Sequence, residues 1–127
     1  MKRIIVNGGW RLRGEVEIGG SKNAALPLLF AGIVTAAECR FSNLPRVDDV
    51  LRTLEILRAL GARIRFLESG DVIVDYKSIT PGVPPSSLTA SIRASTYLLG
   101  AMLARFGHAV LPESGGAISA CARSISI

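Results

Sequence analysis

Gly19-Gly20-Ser21-Lys22-Asn23-Ala24-Ala25-Leu26-Pro27 sets one lysine and one amide at the mouth of an apolar helix, directly after a strand-like segment. Before it, Glu15-Val16-Glu17-Ile18 alternates polar and apolar, as a half-buried strand does. After it, Ala24 to Val34 is almost wholly apolar and predicts a helix from about Asn23 to Val34. The two glycines let the backbone turn tightly and approach a ligand closely. Ser21 or Asn23 can cap the helix. The first-turn N–H groups and the helix dipole then favour an anion, and Lys22 adds a full positive charge at the same spot. Pro27 fits best if Asn23 is the cap, because its missing N–H then falls near the unpartnered first turn. The stretch therefore reads as an anion site for a phosphate or carboxylate. No Walker pattern or GxGxxG accompanies it, so a nucleotide P-loop is not supported. The competing reading is a glycine turn into a helix with a solvated lysine.

Working outward, strands alternate with helices. Arg3 to Val6 and Glu15 to Ile18 are strand-like, with a turn at Gly8-Gly9. Cys39 to Phe41 is a short strand. Asp48-Asp49 suit the start of a second helix, with an apolar face at Val47, Val50, Leu51, Leu54 and Leu57 and Gly61 just past its end. Ala62 to Phe66 alternates, and Ser69-Gly70-Asp71 turns it back into Val72 to Val74 as a hairpin. Pro81 to Ser87 is a polar loop, a third helix spans about Ser91 to Arg105, and His108 to Leu111 is another strand. The order is β-α-β-α-β-β followed by α-β. The first and third helices are apolar nearly all round, the pattern of a buried helix.

Composition narrows the class. The 127 residues suffice for one modest domain, and 49% hydrophobic with 20% charged residues marks a core-forming chain. No apolar run approaches the roughly 18 residues of a membrane span. Met1-Lys2-Arg3-Ile4-Ile5-Val6 reads as a strand rather than a cleavable signal, so cytoplasmic residence is the expectation. Cys39 and Cys121 are too few and too irregular for a disulfide framework or a zinc site, and no metal or cofactor is expected. The net charge of +5 is dispersed, with seven aromatics and no basic run, which argues against nucleic acid and for small anionic substrates.

Gly20-Ser21-Lys22-Asn23-Ala24-Ala25-Leu26-Pro27 resembles the signature of the enolpyruvyl transferase family. Further matches fall at Asn43-Leu44-Pro45-Arg46-Val47-Asp48-Asp49-Val50, Leu60-Gly61-Ala62, Ile92-Arg93-Ala94-Ser95 and Ala104-Arg105-Phe106-Gly107. The likeness covers nearly the whole chain. It is to the branch that acts on UDP-N-acetylglucosamine in peptidoglycan synthesis. In the branch acting on shikimate 3-phosphate, serine follows the lysine and an arginine comes soon after; this chain has Asn23 and no such arginine.

The resemblance implies an α/β fold, an inside-out barrel of βαβαββ repeats, of which this chain holds one unit and the start of a second. Residues 1–20 would be strands pairing with a second domain, and 21–127 a partial transferase domain. The chain is therefore expected to be the N-terminal portion of a longer protein, inactive alone and needing a C-terminal domain. The implied reaction moves the enolpyruvyl group of phosphoenolpyruvate to the 3'-hydroxyl of UDP-N-acetylglucosamine and releases phosphate. Lys22 would contact phosphoenolpyruvate and the developing charge, Asn23 would orient substrate, and Arg93 would grip an oxyanion with its two-pronged guanidinium. By residues alone, Arg93 reads as a solvated or ion-paired helix residue.

The family's loop carries Gly-Gly-Cys, whose cysteine (aspartate in some members) delivers a proton, and then an arginine-proline pair. Here Gly115-Gly116-Ala117 places alanine at that position, and alanine transfers no proton. Cys121 follows four residues later, and Arg123 matches the loop arginine with a one-residue shift. Either Cys121 is the acid in a rearranged loop or the tail departs from the pattern by truncation or frameshift; the second is preferred. Cys121 also reads as a small buried thiol, and His108 as structural. Two other functions are carried: a paralogue acting on another UDP-sugar, a nucleoside or shikimate 3-phosphate, and a non-catalytic anion-binding pseudoenzyme.

Overall fold

The computed structural model describes residues 2–89, 95–113 and 116–121. Its elements in order are α1 (Lys22–Thr35), β1 (Glu38–Phe41), α2 (Asp48–Ala59), β2 (Arg63–Phe66), β3 (Val72–Asp75), α3 (Ser86–Thr89), α4 (Ser95–Phe106), β4 (His108–Glu113) and β5 (Gly116–Cys121). The α-β-α-β-β-α-β order predicted after Gly20 is found, with two additions: the short helix α3, which begins within the segment read as a polar loop, and the strand β5.

Three strands form one sheet in the order β1-β3-β2, with both pairings antiparallel. β2 and β3 are the expected hairpin, with Arg63 opposite Asp75 and Phe66 opposite Val72. β1 lies on the other edge of β3, Cys39 opposite Val74. The pleat sorts the side chains: Val72, Val74 and Tyr76 are buried on one face, while Glu38, Arg40, Arg63 and Arg65 are exposed on the other. Arg40 Nε donates to Asp71 Oδ2 at 2.8 Å and Arg65 to Glu38 at 3.3 Å across that outer face. The Arg40 guanidinium lowers the Asp71 carboxyl below its ordinary range.

α1 and α2 pack together, and α4 packs on α1. Leu29, Phe30, Ile33, Ile56, Leu57, Val74, Tyr76 and Leu98 are fully buried between these layers. α2 ends as its glycine predicts. Gly61 takes φ +111° and donates to the Arg58 carbonyl at 3.0 Å, and Ala62 N donates to the Leu57 carbonyl at 2.9 Å, the paired bonds of a Schellman end. A side chain at Gly61 would also strike the Ser78 carbonyl.

Four sequence expectations are corrected. Residues 2–21 carry no helix or strand, so the strands expected at Arg3 to Val6 and Glu15 to Ile18 are not formed; a strand exists only where another strand takes its N–H and C=O groups. Ile4, Val6, Trp10, Leu12, Val16 and Ile18 are all more than four-fifths exposed. The buried face of α2 is rotated from the one predicted. Val47 and Leu51 are exposed, and Thr53 and Ile56 are buried instead. Thr53 tolerates this because its hydroxyl donates to the Asp49 carbonyl at 2.8 Å. α1 is not buried all round, since Leu28 and Val34 are at least half exposed. Finally, the segment where the resemblance implies a loop forms β5, antiparallel to β4, with Pro112 opposite Ala117 and His108 opposite Cys121.

Candidate anion site at the start of α1

Ser21 is the N-cap residue, with extended φ −82° and ψ 127°, and its side chain makes no capping hydrogen bond. Lys22 and Asn23 are therefore the first two helical residues, not residues ahead of the helix. The Ala25 N–H donates to the Ser21 carbonyl at 2.9 Å, so the N–H groups of Lys22, Asn23 and Ala24 have no carbonyl within the helix. Pro27 sits inside α1, where its missing N–H removes the helical donor to the Asn23 carbonyl. Of the two cap residues the sequence offers, Ser21 and Asn23, it is Ser21 that takes the position, so Pro27 lies deeper in the helix than it would with Asn23 as the cap.

A second block of sequence closes over this helix end. Asn43 adopts the left-handed conformation at φ +55°, and its carbonyl lies against Gly20 so closely that any side chain at Gly20 would collide with it. Pro45 Cδ borders the same position at 3.1 Å. Gly20 is thus required by space. From Asn43 the chain runs through Pro45 into α2, whose second residue, Asp49, faces Lys22. Lys22 Nζ donates to Asp49 Oδ2 at 2.9 Å, with the two side chains 48% and 36% exposed. The pair spans 27 positions of sequence. Asp49 escaped the sequence reading, which assigned it only to the helix dipole. Its signal was a carboxylate in the Asn43–Val50 block, whose fold contact with Gly20 no periodicity reveals.

The opposite end of α1 is enclosed. The Tyr76 ring lies against Gly32, so closely that a Cβ there would clash, and its hydroxyl donates to the Leu29 carbonyl at 2.7 Å. Burial, with Cys39 a smaller contributor, raises the Tyr76 pKa above the ordinary phenol value. Arg105 of α4 donates to the carbonyls of Ile33 at 3.2 Å, Tyr76 at 2.7 Å and Lys77 at 3.3 Å. A guanidinium at a helix carboxyl end also opposes the dipole's negative pole.

Of the other candidate residues, Asn23 is exposed beside Lys22. The backbone of Cys121 ends β5, and Ala117 lies in the same strand. Arg93 and Arg123 lie outside the described residues. His108 is exposed on β4. Among the described residues no group of three or more His, Cys, Asp and Glu could hold a metal ion, and no helix is long and apolar enough to cross a membrane.

The sequence profile of the EPSP synthase (3-phosphoshikimate 1-carboxyvinyltransferase) family matches residues 6–117. UDP-N-acetylglucosamine 1-carboxyvinyltransferase of Dichelobacter nodosus (strain VCS1703A) is 41% identical over 116 residues, covering 91% of this chain and 28% of that protein. The enzyme of the same name from Buchnera aphidicola subsp. Schizaphis graminum (strain Sg) is 40% identical over the same coverage. This chain thus spans less than a third of the length of the curated relatives it matches. The crystal structure of the enolpyruvyl transferase NikO from Streptomyces tendae superposes with a TM-score of 0.74 at 25% identity, over 91% of this chain and 31% of that one. The α/β architecture is therefore that of the enolpyruvyl transferases, and with most of its length matched by the profile this chain belongs to the EPSP synthase family.

Proposed function

We propose that this chain contributes the phosphoenolpyruvate-binding end of an enolpyruvyl transfer to the 3'-hydroxyl of UDP-N-acetylglucosamine, a step toward peptidoglycan. The relatives' names support the reaction, at 41% and 40% identity. The observation that carries the residue assignment is Lys22 at the first position of α1, the end of the helix whose first N–H groups have no carbonyl partner within it. In this reading the acceptor hydroxyl adds to C2 of phosphoenolpyruvate while a proton is added to C3. The tetrahedral adduct then expels phosphate and loses a proton from the same methyl carbon. Lys22 neutralises phosphate and developing charge, Asn23 orients the adduct, and Arg93 and Arg123 supply further cationic grip. Cys121 is the candidate proton donor, since Ala117 has no transferable proton. Residues 1–20 pair as strands with a second domain, which would cover their exposed apolar side chains.

Calorimetric titration of the chain with phosphoenolpyruvate and with UDP-N-acetylglucosamine tests the reading. Phosphoenolpyruvate binding that Lys22→Ala abolishes supports it. Unchanged affinity in Lys22→Ala removes Lys22 from the site. Phosphate release on mixing both substrates, with the C-terminal remainder of a relative supplied alongside, separates a transferase from a chain that only binds anions, and replacing the acceptor with shikimate 3-phosphate separates the two branches.

A further inference from the structure

We propose that Asp49 is the resident counter-ion of Lys22, a carboxylate that an incoming phosphorylated acid must displace, so that Asp49 sets the anion affinity of this end of α1. The inference rests on the reading of Lys22 given above. Lys22 Nζ lies 2.9 Å from Asp49 Oδ2. Lys22 begins α1, and Asp49 lies in the first turn of α2. The Gly20 contact with Asn43 and Pro45 fixes one helix start against the other. The two charges therefore face each other whenever both helices are formed.

An ammonium already neutralised by a carboxylate attracts a second anion less. A phosphate brought to Lys22 also meets the Asp49 charge at short range. Removing that charge while keeping the shape, as in Asp49→Asn, leaves Lys22 uncompensated and strengthens anion binding. A merely structural role for Asp49 predicts the reverse, because loosening the α1–α2 contact would weaken the site. Asp48 supplies the control. It carries the same charge on the same helical turn, but it borders a surface hollow with Leu51, Arg52 and Glu55 and is not the residue that meets Lys22.

The experiment is calorimetric titration of the 127-residue chain and its variants with phosphoenolpyruvate at low and high salt. Asp49→Asn is expected to tighten binding about three- to tenfold at low salt, the size of one unit charge across a half-solvated gap of about 6 Å. The gain shrinks at high salt. Asp48→Asn stays within about twofold of the parent chain, Asp49→Glu shows no gain, and Lys22→Ala/Asp49→Asn binds no better than Lys22→Ala. Equal or weaker binding by Asp49→Asn, with Lys22→Ala still defective, overturns the role of Asp49 and leaves Lys22 in place. Full binding by Lys22→Ala, or no binding by either the parent chain or Asp49→Asn, overturns the Lys22 site and this inference with it. A measurement on the unaltered chain guards against a variant that fails to fold: the carbon-13 signal of the Asp49 carboxyl moves together with the Lys22 ε signal on phosphoenolpyruvate addition. Movement of Lys22 alone overturns the exchange.

Discussion

At the amino end of α1 an ion pair, Lys22 to Asp49, crosses to the neighbouring helix, with both side chains more than a third exposed. At the carboxyl end, Tyr76 fills the space above Gly32 and Arg105 ties three carbonyls from α1 and the end of β3. The first arrangement depends on charge in contact with water, where an ion pair contributes about 0 to 1 kcal/mol. The second depends on close packing, on one buried hydrogen bond from Tyr76 to Leu29, and on the part-buried grip of Arg105. One helix thus combines an end held by packing with an end whose charged group, Lys22, is paired across water-exposed space. Substitutions at the two ends should accordingly separate stability from binding.

The largest effect is expected from Gly32→Ala. A Cβ there meets the buried Tyr76 ring, and overpacking of this kind costs about 3 kcal/mol, measured as a lower urea midpoint. A loss below about 1 kcal/mol would show that the carboxyl end yields as readily as the amino end. Next comes Arg105→Met, which keeps much of the apolar stem and deletes all three carbonyl contacts; a loss of about 2 kcal/mol is expected in the same measurement.

Tyr76→Phe should cost about 1 kcal/mol, the hydroxyl bond to Leu29 being lost without a change of ring volume. It also carries a pH signature. The folded chain holds the Tyr76 proton more tightly than the unfolded chain, so this contribution is complete below the unfolded tyrosine pKa of about 10 and declines as pH rises above it. Stability of the parent chain should therefore fall more steeply above about pH 10 than that of Tyr76→Phe; parallel curves would contradict the burial of the phenol. The smallest stability effect belongs to Lys22→Ala, expected below about 0.5 kcal/mol, while under the function proposed above its expected effect on phosphoenolpyruvate binding is large. A loss as large as that of Arg105→Met would erase the distinction between the ends.

Much of the local structure was legible in the sequence because its causes are local. The apolar run after Lys22 delivered α1 over Lys22–Thr35, within one residue of the predicted limits at each end. Gly61 terminated α2 by the left-handed conformation that glycine favours, and Ser69-Gly70-Asp71 turned the β2–β3 hairpin. The buried face of α2 was less legible. A periodic stripe admits several neighbouring orientations, and only packing against α1 and the sheet selected Thr53 and Ile56 over Val47 and Leu51. The tail was misread for a related reason. A Gly-Gly step followed by small residues carries little strand signal, and Gly116–Cys121 becomes a strand because β4 offers it a ladder.

What the sequence determined alone was the order of elements, the helix-mouth lysine and amide, and the family that this motif marks, since capping, periodicity and turn chemistry act within a few residues. Tertiary structure alone decided that β1 joins the far edge of β3, that Tyr76 lies over Gly32, and that Lys22 answers to Asp49. Each of these contacts joins residues more than 25 positions apart, and the folded backbone, not any local preference, brings them within bonding distance.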